Sequence, residues 1–114
     1  MHDLQRMDHP VRTEKTSQHR IWQVLGMIPK GKVVSYGELA RIAELAGAAR
    51  HVGRVLRALP DDTRLPWHRV VRANGAIAQP VDSPGYHEQI ARLQAEGVEV
   101  RNGRVSMRRC AWRP

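Results

Sequence analysis

Apolar positions recur at helical spacing three times in the first half of the chain. Ile21, Trp22, Val24, Leu25 and Ile28 make one face, and such spacing predicts a half-buried helix. Ser17 fits as its N-cap, because a short hydroxyl side chain accepts from the first unbonded N–H groups. Pro29 and Gly31 end it. Lys32-Val33-Val34-Ser35 reads as a link. Tyr36-Gly37 opens a second helix, Glu38 to about Leu45, with Leu39, Ile42, Ala43 and Leu45 inward, and Gly47 breaks it. Val52, Val55, Leu56 and Leu59 predict a third helix from about Ala48 to Leu59, stopped by Pro60. Two short helices about a glycine-containing turn form a helix-turn-helix pattern, though many helical proteins carry such a pair.

The second half is more broken. Leu65-Pro66-Trp67-His68-Arg69-Val70-Val71 begins extended and becomes apolar, and Ala73-Asn74-Gly75-Ala76 reads as a turn. Residues 78–85 hold Pro80, Asp82, Ser83, Pro84 and Gly85, so they read as a loop. A final helix is predicted from about Tyr86 to Glu96, stopped by Gly97. Val98–Arg101 and Arg104–Met107 flank Asn102-Gly103, and Asn-Gly suits a type I′ hairpin turn. The expected fold is mainly α with this small β-hairpin as a wing: a winged helix-turn-helix. Residues 1–16 lack periodicity and are expected to form a flexible basic arm, with residues 17–114 as one domain.

Charge then narrows the function. Nineteen Lys and Arg against eleven Asp and Glu give a formal charge of +8, a balance that favours polyanions. No apolar run of about 18 residues predicts a membrane span, and the polar start has no signal core, so a cytoplasmic protein is expected. Cys110 is the single cysteine, which leaves no internal disulfide and no cysteine-rich zinc site. The six histidines lack paired spacing with carboxylates; no metal and no cofactor are expected.

Three segments in order now identify a family. Gly31-Lys32-Val33-Val34-Ser35-Tyr36-Gly37-Glu38-Leu39-Ala40 is followed by Ala49-Arg50-His51-Val52-Gly53 and by Pro66-Trp67-His68-Arg69-Val70. Together they resemble the DNA-binding domain of the O6-alkylguanine-DNA alkyltransferases over roughly residues 17–108. Those enzymes carry Pro-Cys-His-Arg-Val, and the cysteine takes the alkyl group. Here Trp67 stands in its place, as in the alkyltransferase-like proteins, which keep the DNA-binding domain without the chemistry.

The resemblance implies roles residue by residue. Tyr36 would rotate a phosphate and push a nucleotide outward, while Arg50 would fill the hole left in the base stack. Chemistry on a base requires that base outside the duplex, and a guanidinium plane stacks on bases. Without the family, Arg50 would read as a solvated helix residue. Ala48, Ala49 and Gly53 would let the third helix approach the minor groove, with Ser35, Arg54 and Arg57 also against DNA; ordinary helix packing explains small residues equally well. Trp67, His68, Val70 and Ser83 would line the flipped-base pocket, Val70 through its backbone carbonyl. His68 and Glu96 match a base and its orienting carboxylate, here read as a retained structural network because indole N–H is only a donor. By the same resemblance, the loop from Gly75 to Glu96 is about two residues longer than in some alkyltransferases, and Leu59 stands where they commonly have Asn.

The function this implies is binding of O6-alkylguanine in duplex DNA without alkyl transfer. The lesion would be shielded and passed to nucleotide excision repair proteins, and the binder is expected to be a monomer. Two alternatives belong to other classes: a variant alkyltransferase using Cys110, and a winged helix-turn-helix regulator that reads operator sequence.

Overall fold

The computed structural model describes residues 17–114, so the arm expected over residues 1–16 lies outside the described residues. The chain runs through helix α1 (17–27), strand β1 (Val34–Ser35), α2 (Tyr36–Ile42), α3 (Ala49–Arg57), a 3₁₀ turn (Trp67–Arg69), β2 (Val70–Val71), α4 (Pro84–Ala95) and α5 (Met107–Cys110). The expected mainly helical fold is borne out. Ser17 is already helical, so it is not the N-cap expected of it; its Oγ instead approaches His51 Nε2 of α3 at 3.5 Å.

The segment read as a link is half of a sheet. β1 and β2 pair in parallel, Val34 opposite Val70 and Ser35 opposite Val71. Two residues are too few to show alternation, and the partner is distant in sequence. The Val33 N–H also bonds to Cys110 O (2.9 Å) and Val33 O accepts from the Trp112 N–H (2.8 Å), so the C-terminal segment flanks β1. Successive strand side chains point to opposite faces, and this small sheet uses both. Val34 and Val70 enter one core with Ile21, Leu25, Leu39 and Val52. Val33 and Val71 enter a second core with Ile77, Leu93, Val98 and Val105. The sheet is therefore the wall between the helix-turn-helix and the α4 half.

Helix ends follow local chemistry. α2 stops before the expected Leu45 because Glu44 takes a positive φ of 65°. Ser35 Oγ caps α2 by accepting the Glu38 N–H at 3.1 Å. α4 begins earlier than expected, because Ser83 Oγ accepts the Tyr86 N–H (3.1 Å) and Pro84 sits in the first turn, where its missing N–H costs nothing.

The expected β-hairpin is corrected. Asn102 (φ 51°) and Gly103 (φ 71°) do make a turn with both residues at positive φ, but only Arg101 and Arg104 bridge across it. Two competitors end the pairing. Ile77 N–H bonds to Gly103 O and Val105 N–H to Gly75 O, drawing the second arm onto residues 75–77. Ser106 then caps α5, which the sequence reading lacks. Gly75 has no substitute here: its φ is 87° and a Cβ would lie 2.2 Å from Val105 O.

Candidate nucleic-acid interface

Helix α3 buries Val52, Gly53 and Val55 and leaves Arg50, Arg54 and Arg57 exposed. The spacing i, i+4, i+7 puts the three arginines on one stripe. No acidic residue occurs in α3, and among the described residues none of the three forms an ion pair. Three uncompensated guanidiniums on one helix face are suited to a phosphate backbone. Ala48 and Ala49 are half-buried at the start of the helix. Gly53 is buried beside Arg57, whose Nη1 would lie 3.3 Å from an added Cβ. Ser35 is half-buried with its hydroxyl committed to the cap of α2.

An open cleft of about 610 Å³ adjoins this stripe, lined by Tyr36, Gly53, Arg57, Trp67, Gly85 and Arg92 among others. That volume is in the range of small-ligand sites, roughly 300–1,000 Å³. Tyr36 is the first residue after β1 and Trp67 lies three residues before β2, so the paired strands fix their relative positions. Burial pushes the Tyr36 hydroxyl up from its ordinary value, and the charges of Arg57 and Arg72 partly oppose this. The hydroxyl therefore stays protonated at neutral pH and can donate a hydrogen bond. The Arg92 guanidinium lies 5.5 Å from the centre of the Trp67 ring.

Behind Trp67 is a polar network. His68 Nε2 lies 2.8 Å from Glu96 Oε2. Arg69 grips the same carboxylate through Nε (3.0 Å) and Nη2 (2.6 Å), and its Nη1 donates to Ile28 O at 2.7 Å. The Gly31 N–H adds a bond to Glu96 Oε1 at 3.2 Å. Burial pushes the Glu96 carboxyl up, but these hydrogen bonds outweigh it and hold the group at about 2. Burial pushes His68 below its ordinary value, with the Glu96 hydrogen bond and charge opposing it. With its Nε2 proton assigned to the carboxylate, His68 keeps a buried Nδ1 that makes no hydrogen bond.

The structure thus brings Tyr36, Gly53, Arg57 and Trp67 together around one cleft and His68 and Glu96 together behind it. Val70 and Ser83 are placed differently. Val70 is fully buried and its carbonyl accepts Gln89 Nε2 at 2.9 Å. Ser83 spends its hydroxyl capping α4, while its neighbours Pro84 and Gly85 line the cleft. Three residues were missed by sequence reasoning. Arg69 stood inside the Pro-Trp-His-Arg-Val motif without a role. Gln89 is buried and donates to both His68 O (3.1 Å) and Val70 O (2.9 Å), and its place one turn before Leu93 marks the inward face of α4. Arg92 follows Glu88 by four residues, the spacing of a helical ion pair. No group of three or more His, Cys, Asp or Glu suited to a metal occurs among the described residues.

A helix-turn-helix with a basic exposed helix and an adjoining ligand-sized cleft defines a DNA-binding domain. Residues 16–98 match the family described as 6-O-methylguanine DNA methyltransferase, DNA binding domain. The chain belongs to that family, in its alkyltransferase-like branch. It is 42% identical over 96 residues to the DNA base-flipping protein of Vibrio parahaemolyticus, covering 83% of this chain and 94% of that protein. It is 40% identical over 81 residues to alkyltransferase-like protein 1 of Schizosaccharomyces pombe, 71% of this chain and 75% of the relative. The structure of S. pombe Atl1 in complex with damaged DNA containing O6-carboxymethylguanine superposes with a TM-score of 0.80 at 33% identity, covering 86% of this chain and 95% of the other.

Proposed function

We propose that this protein binds O6-alkylguanine in duplex DNA, turns the damaged nucleotide into the Trp67 cleft and holds it without removing the alkyl group. One observation carries the reading: the cleft that Tyr36 and Trp67 line opens beside the arginine stripe of α3. A protein docked through that stripe has a base-sized receptacle next to the helix on the DNA. Relatives named for base flipping and for damaged-DNA binding support the same reading.

The roles divide by position. Arg50, in the first turn of α3, fills the vacated place in the stack. Tyr36 directs the phosphate of the extruded nucleotide, and Arg54 and Arg57 hold the backbone. Ala48, Ala49 and Gly53 admit the helix to the minor groove. Trp67 offers an indole face and one N–H to the base, but no thiolate to attack a saturated carbon. His68 and Glu96 survive as a structural pair. A lesion held but not reversed must be removed with its nucleotide, so the complex acts as a signal for excision repair proteins. One cleft takes one base, and the protein works as a monomer.

The test compares one duplex with and without O6-methylguanine. The protein should bind the damaged duplex more tightly and slow its repair by an added active alkyltransferase, since one flipped base cannot occupy two pockets. Equal affinity and no protection would leave only a general DNA-binding domain.

A further inference from the structure

The cleft holds a cation whose best donors are uncommitted. Arg92 and Glu88 sit one turn apart on α4, and both line the cleft. Arg92 Nε donates to Glu88 Oε2 at 2.6 Å, and the guanidinium lies over the Trp67 ring at 5.5 Å from its centre. Its two Nη groups make no hydrogen bond to any described residue. One edge of the guanidinium is thus bonded to the carboxylate, and its Nη donors stay unbonded on a side chain that lines the cleft.

Resting on the lesion-binding reading, we infer that Arg92 makes this cleft select O6 substituents that end in an anionic oxygen, a carboxylate above all. A methyl or ethyl group gives those Nη donors nothing to bind, whereas a carboxylate accepts two parallel N–H bonds in the geometry a guanidinium presents. The formal charges lining the cleft balance, Arg57 and Arg92 against Asp61 and Glu88. The selection is local and depends on the fork over Trp67, not on a diffuse field. Glu88 limits its size by taking one side of the same guanidinium. Bonds between charged groups outweigh neutral ones, so the preference should be about ten-fold.

The experiment uses the full chain and four duplexes of one sequence, carrying O6-carboxymethylguanine, its neutral isostere O6-carbamoylmethylguanine, O6-methylguanine or unmodified guanine. The wild-type protein should favour the carboxylate over the amide about ten-fold at low salt. Arg92→Gln should bring that ratio to about one. Arg92→Lys, which keeps the stem and the charge but not the fork, should retain only part of the ratio. A wild-type ratio near one, or a ratio that survives Arg92→Gln, overturns the inference and leaves lesion binding intact. Failure of all three lesions to bind better than undamaged DNA overturns the lesion-binding reading and this inference with it.

Discussion

Glu96 Oε2 lies 2.8 Å from His68 Nε2 while Arg69 closes on the same carboxylate from the other side. The carboxylate belongs to the C-cap residue of α4, and Arg69 reaches on to the carbonyl of Ile28 just past the end of α1. One ion thus joins three separate parts of the chain behind Trp67.

Acid should loosen this join. Glu96 is held at about 2, below its ordinary 4.5, so the unfolded chain binds its proton more readily than the fold does. Its contribution is fully present above pH 4.5 and is lost as pH falls towards 2. His68, pushed down from 6.5, has the same sign: its contribution is present above 6.5 and declines as pH falls below it. Thermal melts from pH 7 to pH 3 should show stability falling in both ranges. Glu96→Gln should lower stability at pH 7 and flatten the curve below pH 4.5. A curve of unchanged slope in that variant would show that Glu96 does not set the acid limit.

Arg69→Ala should be among the most damaging substitutions. It strips a nearly buried carboxylate of its strongest partner and leaves Ile28 O without its donor. Breaking such a pair costs roughly 3 kcal/mol or more. Denaturant midpoints would read this directly; a loss below about 0.5 kcal/mol, the scale of an exposed pair, would show that the bridge is dispensable.

Periodicity served where long helices pack on one core and failed where structure depends on distant partners. The apolar face of α1 and the helix-turn-helix were legible because Ile21, Leu25, Leu39 and Val52 repeat at helical spacing and all enter one cluster. The β1–β2 pairing was not, because each strand has two residues and joins segments far apart in sequence. The hairpin reading was right about the Asn102-Gly103 turn and wrong about its arms, because residues 75–77 compete for the second arm. At the site, the resemblance singled out Tyr36 and Trp67, which line the cleft, and His68 and Glu96, which bond to each other behind it. Motif order says nothing of which side chain lies over Trp67, so Arg92 was invisible until α4 was placed.

The arginine stripe predicts an ordered set of binding losses. Arg50→Ala should cost lesion binding about 1–3 kcal/mol, the scale of one lost stacking contact. Arg54→Ala should cost less, because the proposed function gives it a phosphate contact alone. Tyr36→Ala should resemble Arg50→Ala, since the proposed function assigns both to the same flipping step. Affinity should also fall with salt by about 0.9 log units per phosphate contact for each log unit of salt. Equal small losses for Arg50 and Arg54, measured by fluorescence anisotropy at one salt concentration, would reduce the stripe to general electrostatics. A flat salt response would remove phosphate contact altogether.

Displacing an alkyl group from O6 needs a strong nucleophile at the cleft, and a thiolate is the usual one. Cys110 is the chain's single thiol. Its backbone is tied to Val33 and its side chain packs against the second core, while the cleft is lined without it. His68 has a free Nδ1 but no thiol beside it to deprotonate. Incubated with duplex DNA carrying O6-methylguanine, the protein should gain no methyl mass, and digestion should return the lesion intact however long the reaction runs. Cys110→Ser should bind the lesion as tightly as wild type, because it removes nothing the cleft uses. A protein heavier by one methyl, with the added mass mapped to Cys110, would overturn the non-catalytic reading.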